Sequence, residues 1–170
     1  MKNEFLERLR IAFPDFAAKL GDGSLFGLDN VQPPASDDDL RDLEQSLGLL
    51  LPESYNALLR CGRGFCLGSG VQFGRPFFHD FEPFDTLTPQ QQRSILHKGV
   101  SWPPPSQGML CFAEYFMEAD GDQVLFDVSR GLVDGEYPVM YYSHESSPPS
   151  VRQLAATFPE FMASILDDPS

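Results

Sequence analysis

The sequence predicts an α+β fold, a single antiparallel β-sheet flanked by N-terminal and C-terminal helices. Three observations predict it. Apolar residues recur at helical spacing over 3–20 and again over 36–62, strand-length β-prone runs joined by short turns fill 109–143, and a helical pattern returns at Thr157. Short turns join antiparallel neighbours, whereas parallel strands need a long crossover. A chain of 170 residues is about one domain long and can bury a core without staples. No linker or internal repeat divides it, so residues 1–170 are expected to form one domain.

The elements follow in order. Phe5, Leu6, Leu9, Ala12 and Phe13 share one face of a helix over 3–13. Pro14 breaks or restarts it, with Phe16, Ala17 and Leu20 continuing to Gly21. Gly21-Asp-Gly23 is a turn, and the segment to Pro33-Pro34 reads as extended or irregular. Ser36 caps a second helix whose opening turn holds Asp37, Asp38 and Asp39, where the dipole favours negative charge. Leu40, Leu43 and Leu47 form its apolar stripe, with Asp42 and Glu44 toward water. Pro52 suits the first turn of the next helix, Tyr55, Leu58 and Leu59 its buried side, and Gly62 its end.

Glycines from Gly62 to Gly74 predict a bend and a short strand at Val71-Gln-Phe73. Residues 76–87 mix aromatics with acids in a surface loop, Thr88 and Pro89 open a helix to Gly99, and Ser101-Trp-Pro-Pro-Pro-Ser is a stiff connector. Strands are predicted over 109–112, 123–129 and 137–143, with turn chemistry at Asp120-Gly-Asp122 and Asp134-Gly135. Thr157-Phe-Pro-Glu160 is a capping-box pattern, and Phe158, Phe161, Met162, Ile165 and Leu166 face the core.

Charge excludes more than any motif includes. Asp and Glu number 25 against 12 Lys and Arg, a net charge of −13. Phosphate backbones and anionic membranes repel such a surface, so neither nucleic acid nor membrane is an expected partner. A basic protein is attracted to it, although plain solubility explains the same excess. No stretch approaches the roughly 20 apolar residues that span a bilayer, and the N-terminus lacks a signal-peptide run. Three cysteines without disulfide or zinc spacing read as free buried thiols of a cytoplasmic protein.

No set of residues spells chemistry. His79-Asp80 and His144-Glu145 are adjacent pairs that a strand would point to opposite faces, and His97 falls near a helix end. Metal-ligand spacing is missing, and Asp120-Gly-Asp122 is followed by Val124-Leu-Phe126 where a calcium loop needs further oxygens. The glycines after Gly62 lack the Gly-Lys-Ser/Thr of a phosphate loop, and there is no nucleophile elbow. The expectation is therefore no catalytic residue, no metal and no cofactor. The candidate partner-binding residues are acids: Asp80, Glu82 and Asp85, interleaved with Phe77, Phe78, Phe81 and Phe84, together with Asp120 and Asp122. Charge steers a basic partner and rings anchor it, while the plainer reading packs those rings inward.

The chain resembles the SUKH superfamily, which includes a fungal cell-wall-synthesis regulator and many bacterial immunity proteins. The residues that carry the likeness are Pro33-Pro-Ala-Ser-Asp-Asp-Asp-Leu-Arg-Asp-Leu-Glu44, Leu51-Pro-Glu-Ser-Tyr55 and Leu58-Leu59. They resume at Gly108-Met-Leu-Cys-Phe-Ala113, Asp120-Gly-Asp122, Leu125-Phe-Asp127 and Phe158-x-x-Phe161, so the likeness spans about 33–168. Cys61-Gly62 stands where the family often has Asn-Gly, and residues 1–32 form a helical extension outside the match. The resemblance implies a non-enzymatic domain whose bacterial members bind and neutralise a toxin, often a basic nuclease. A regulatory adaptor like the fungal members is the alternative, and a small hydrolase or transferase the third reading. No family binding residue maps onto this sequence.

Overall fold

A computed structural model describes residues 1–68, 71–73, 78–79, 82–83, 108–115, 122–143, 145–146 and 150–167. Five helices and eight strands are found among them: α1 (Lys2–Ala12), α2 (Pro14–Leu20), α3 (Asp37–Leu47), α4 (Glu53–Cys61) and α5 (Phe158–Ser164), with β1 (Phe65–Leu67), β2 (Val71–Phe73), β3 (Phe78–His79), β4 (Glu82–Pro83), β5 (Met109–Tyr115), β6 (Gln123–Asp127), β7 (Val139–Ser143) and β8 (Ser150–Ala155). The sheet runs in the order β1-β2-β5-β6-β7-β8 with antiparallel neighbours throughout, and β3-β4 is a separate pair. The α+β expectation therefore holds. The predicted helix from Thr88 and the proline-rich connector lie outside the described residues.

The helices form where the local signals place them. Phe13 separates α1 from α2, and Pro14 restarts the helix at its first position, where a missing N–H is harmless. Ser36 caps α3 in a full capping box: its Oγ accepts from Asp39 N at 3.1 Å and its own N–H donates to Asp39 Oδ2 at 2.8 Å. Pro52 is itself the N-cap of α4, one residue earlier than the sequence predicts. At α5, Thr157 accepts from Glu160 N, while the Glu160 carboxylate returns to Ala156 N rather than to the cap residue.

Alternation along the strands divides the sheet into two faces. Leu110, Phe112, Val124, Phe126 and Val139 join the main core with Phe5, Tyr55, Leu58, Phe158 and Phe161 from the helices. Tyr55 sets its ring edge-on to Phe112, Phe126 and Phe158, with centroids 5.3–5.5 Å apart, and Phe112 stacks on Phe126 at 4.1 Å. Such pairs contribute about 0.5–1.5 kcal/mol beyond their buried area. Cys111, Leu125 and Tyr142, with Met109 and Met140, cluster on the opposite face. Phe5, Leu6 and Leu9 of α1 belong to the main core, and α1 packs on α2 and α4.

Two polar ties fix the corner between helices and sheet. Glu136 accepts from Ser54 Oγ at 2.6 Å and from Phe158 N at 3.3 Å, so one carboxylate holds the starts of α4 and α5. Tyr137 donates its hydroxyl to Leu50 O at 2.6 Å. Both residues follow the Asp134-Gly135 turn, where Val133 and Glu136 pair and the two central φ angles are +52° and +77°. Positive φ at both centres is the hairpin geometry that Asp-Gly favours.

Candidate functional site

Between α3 and α4 lies a cleft of about 580 Å³, the product of the leucine-rich corner. Leu40, Leu43, Leu51, Tyr55, Leu58 and Leu59 turn inward and draw the two helices onto the core. The residues between them do not follow: Leu50 is 64% exposed at the cleft mouth, beside half-buried Leu49 and the helix-ending Gly48. Leu40, Leu49 and Leu50 make its apolar wall, and Asp37, Arg41, Glu44, Glu53, Asn56 and Arg60 its polar one.

The charges in the cleft are unevenly satisfied. Arg60 Nε meets Asp37 Oδ1 at 3.1 Å and Arg60 Nη1 meets Glu53 Oε1 at 2.5 Å. The hydrogen bond that Arg60 donates to Glu53, and then the one it donates to Asp37, raises the Arg60 pKa above its usual range. Arg41 pairs with Asp38 at 2.9 Å. Exposed pairs of this kind contribute about 0–1 kcal/mol each. Glu44 has no cation within 4.0 Å among the described residues; its Oε1 accepts from Asn56 Nδ2 at 3.1 Å. Burial, and then the Glu44 charge, pushes the Tyr137 hydroxyl above its ordinary pKa. Asn56 is 5% exposed, and its Oδ1 is buried with no hydrogen-bond partner. Sequence reasoning put Glu44 toward water and passed over Asn56. The available signal was its spacing, since Asn56 lies three residues before buried Leu59 and so on the same side of α4.

The acids chosen from sequence fare differently. Asp80, Asp85 and Asp120 lie outside the described residues. Glu82 opens β4 and pairs in register with His79 of β3. Asp122 is enclosed, with 0% exposure, and accepts a hydrogen bond from the Tyr141 hydroxyl. The Arg152 guanidinium lies 4.6 Å above the ring of that same tyrosine. This corrects the expectation for Asp122: a carboxylate held inside the fold offers no charge at a surface.

The thiols also divide. Cys61 and Cys111 are buried, Cys66 is partly open, and none is in a disulfide. Burial raises the Cys61 thiol to about 11, the reverse of what a nucleophile needs. Among the described residues no group of three or more His, Cys, Asp or Glu could hold a metal ion, and no helix is long and apolar enough to cross a membrane.

No curated protein matches the chain. The model of the SMI1 / KNR4 family (SUKH-1) matches residues 34–164, from just before the Ser36 cap to the end of α5. With the capped helical pair, the antiparallel sheet and the closing Phe158–Phe161 helix all inside that span, the chain belongs to the SMI1 / KNR4 family (SUKH-1).

Proposed function

We propose that this protein is a non-enzymatic immunity protein that neutralises a basic toxin domain, often a nuclease in such systems, by covering it within the cytoplasm. The observation that carries the reading is a net charge of −13 on a SUKH-1 domain. Part of that charge is displayed at α3, where Asp37, Asp38 and Asp42 are exposed and Arg41 is the one basic residue. A negative surface accelerates encounter with a basic toxin and discriminates against acidic proteins. A stable inhibitory complex buries roughly 1,200–2,000 Å², and a few anchors supply most of its affinity.

Co-expression with the toxin encoded beside this chain tests the proposal. Survival of cells that the toxin alone kills, together with co-purification of the two proteins, is the expected outcome. Unchanged killing by that toxin opposes it. Capture of several cytoplasmic proteins and no toxin would instead support a regulatory adaptor.

A further inference from the structure

We propose that the α3–α4 cleft receives an arginine side chain projecting from the basic partner, with the Glu44 carboxylate as its acceptor. The assignment rests on the immunity reading and names the place and chemistry of contact. Four features of the cleft converge on a guanidinium. Glu44 is its one carboxylate without a cation among the described residues, since Arg60 occupies Asp37 and Glu53. Asn56 reaches across to Glu44 through Nδ2 and leaves its buried carbonyl without a donor. The Nδ2 bond holds the half-buried Glu44 carboxylate in one position and leaves it lone pairs for an incoming cation.

The third feature is the end of α3. Gln45, Gly48 and Leu49 line the cleft, and the last turn of the helix carries no basic side chain, although a cation is favoured there. The fourth is the apolar wall of Leu40, Leu49 and exposed Leu50, which suits the methylene stem of a long side chain. Arginine fits better than lysine. Its planar fork has five N–H donors and matches a carboxylate bidentately, and it is less strongly hydrated than an ammonium.

The test is a titration of the ¹⁵N-labelled full chain, followed by NMR, with the blocked peptide acetyl-Gly-Arg-Gly-amide. The Lys and Glu analogues of the peptide are the comparison probes. The arginine peptide is expected to shift the Asn56 side-chain amide and the Leu49 and Leu50 backbone signals saturably. The lysine peptide should bind more weakly, and the glutamate peptide should leave those signals in place. Glu44→Gln retains an acceptor for Asn56 Nδ2 but loses the charge, and weakens arginine binding about tenfold. Leu50→Ala alters an exposed side chain and weakens it a few-fold. Equal shifts with the glutamate peptide, shifts confined to other faces, or undiminished binding to Glu44→Gln would each overturn the assignment. Toxin rescue is measured separately with the same variant. Rescue that persists at full strength while the peptides fail removes the cleft and leaves the immunity reading, whereas peptide binding without any rescue by the wild-type chain does the reverse.

Discussion

Gly62 illustrates a constraint that sequence reasoning located for only part of its reason. It ends α4 as expected, but its φ of −171° is extended backbone that any residue adopts. What it provides is room: a Cβ there would lie 2.9 Å from Phe5 Cδ2 and 3.0 Å from Gln32 O. Gly62→Ala is therefore expected to cost about 1–3 kcal/mol by displacing Phe5. Urea denaturation checks it, and an unchanged midpoint would mean that α1 yields freely. At neighbouring Cys61, the folded thiol holds its proton to about pH 11, against roughly 8.5 when unfolded. A raised folded pKa contributes stability that is complete below about pH 8.5 and is lost as pH climbs toward 11. Unfolding free energy should fall by no more than about 3–4 kcal/mol over that window on account of this thiol. Cys61→Ala should flatten that decline; an identical pH profile would show that the thiol is not its source.

Elements whose signals are local could be read from the chain, and those defined by distant pairing could not. The α3 capping box needs only Ser36 and Asp39, three residues apart, and both hydrogen bonds are formed. Ser36→Ala should cost about 1 kcal/mol, visible as a lower thermal midpoint, while an unchanged midpoint would show the cap to be idle. By contrast β8 escaped sequence reasoning. Ser150-Val-Arg-Gln-Leu-Ala155 has little β-branched character, and it becomes a strand by pairing with β7 at the edge of the sheet. Asp122 was misread for the same reason. In sequence it reads as one more exposed acid for a partner, and only the pairing of β6 with β7 brings Tyr141 to its carboxylate. The cleft was half legible: the leucine pattern places the corner, but the orphaned Asn56 carbonyl depends on how the two helices meet.

For the molecule as a whole, the excess of 13 negative charges is a long-range property, whereas the proposed arginine contact in the cleft is short-range. The two contributions separate by salt. Steering acts over about 10 Å at 0.1 M ionic strength and shrinks to about 3 Å at 1 M, while contacts excluded from water are screened much less. Association with a toxin recovered by co-purification should therefore slow at least about tenfold between 0.02 M and 0.5 M salt, because unsteered encounter is the remaining route. Dissociation should change far less, since most of the affinity resides in a few buried anchors. Glu44→Gln reverses the pattern: one charge in 13 barely alters steering, but loss of the guanidinium contact should quicken dissociation about tenfold. Stopped-flow association and surface-based dissociation rates at several salt concentrations resolve the two. An association rate indifferent to salt would mean that the acidic surface keeps the protein soluble and plays no part in finding its target.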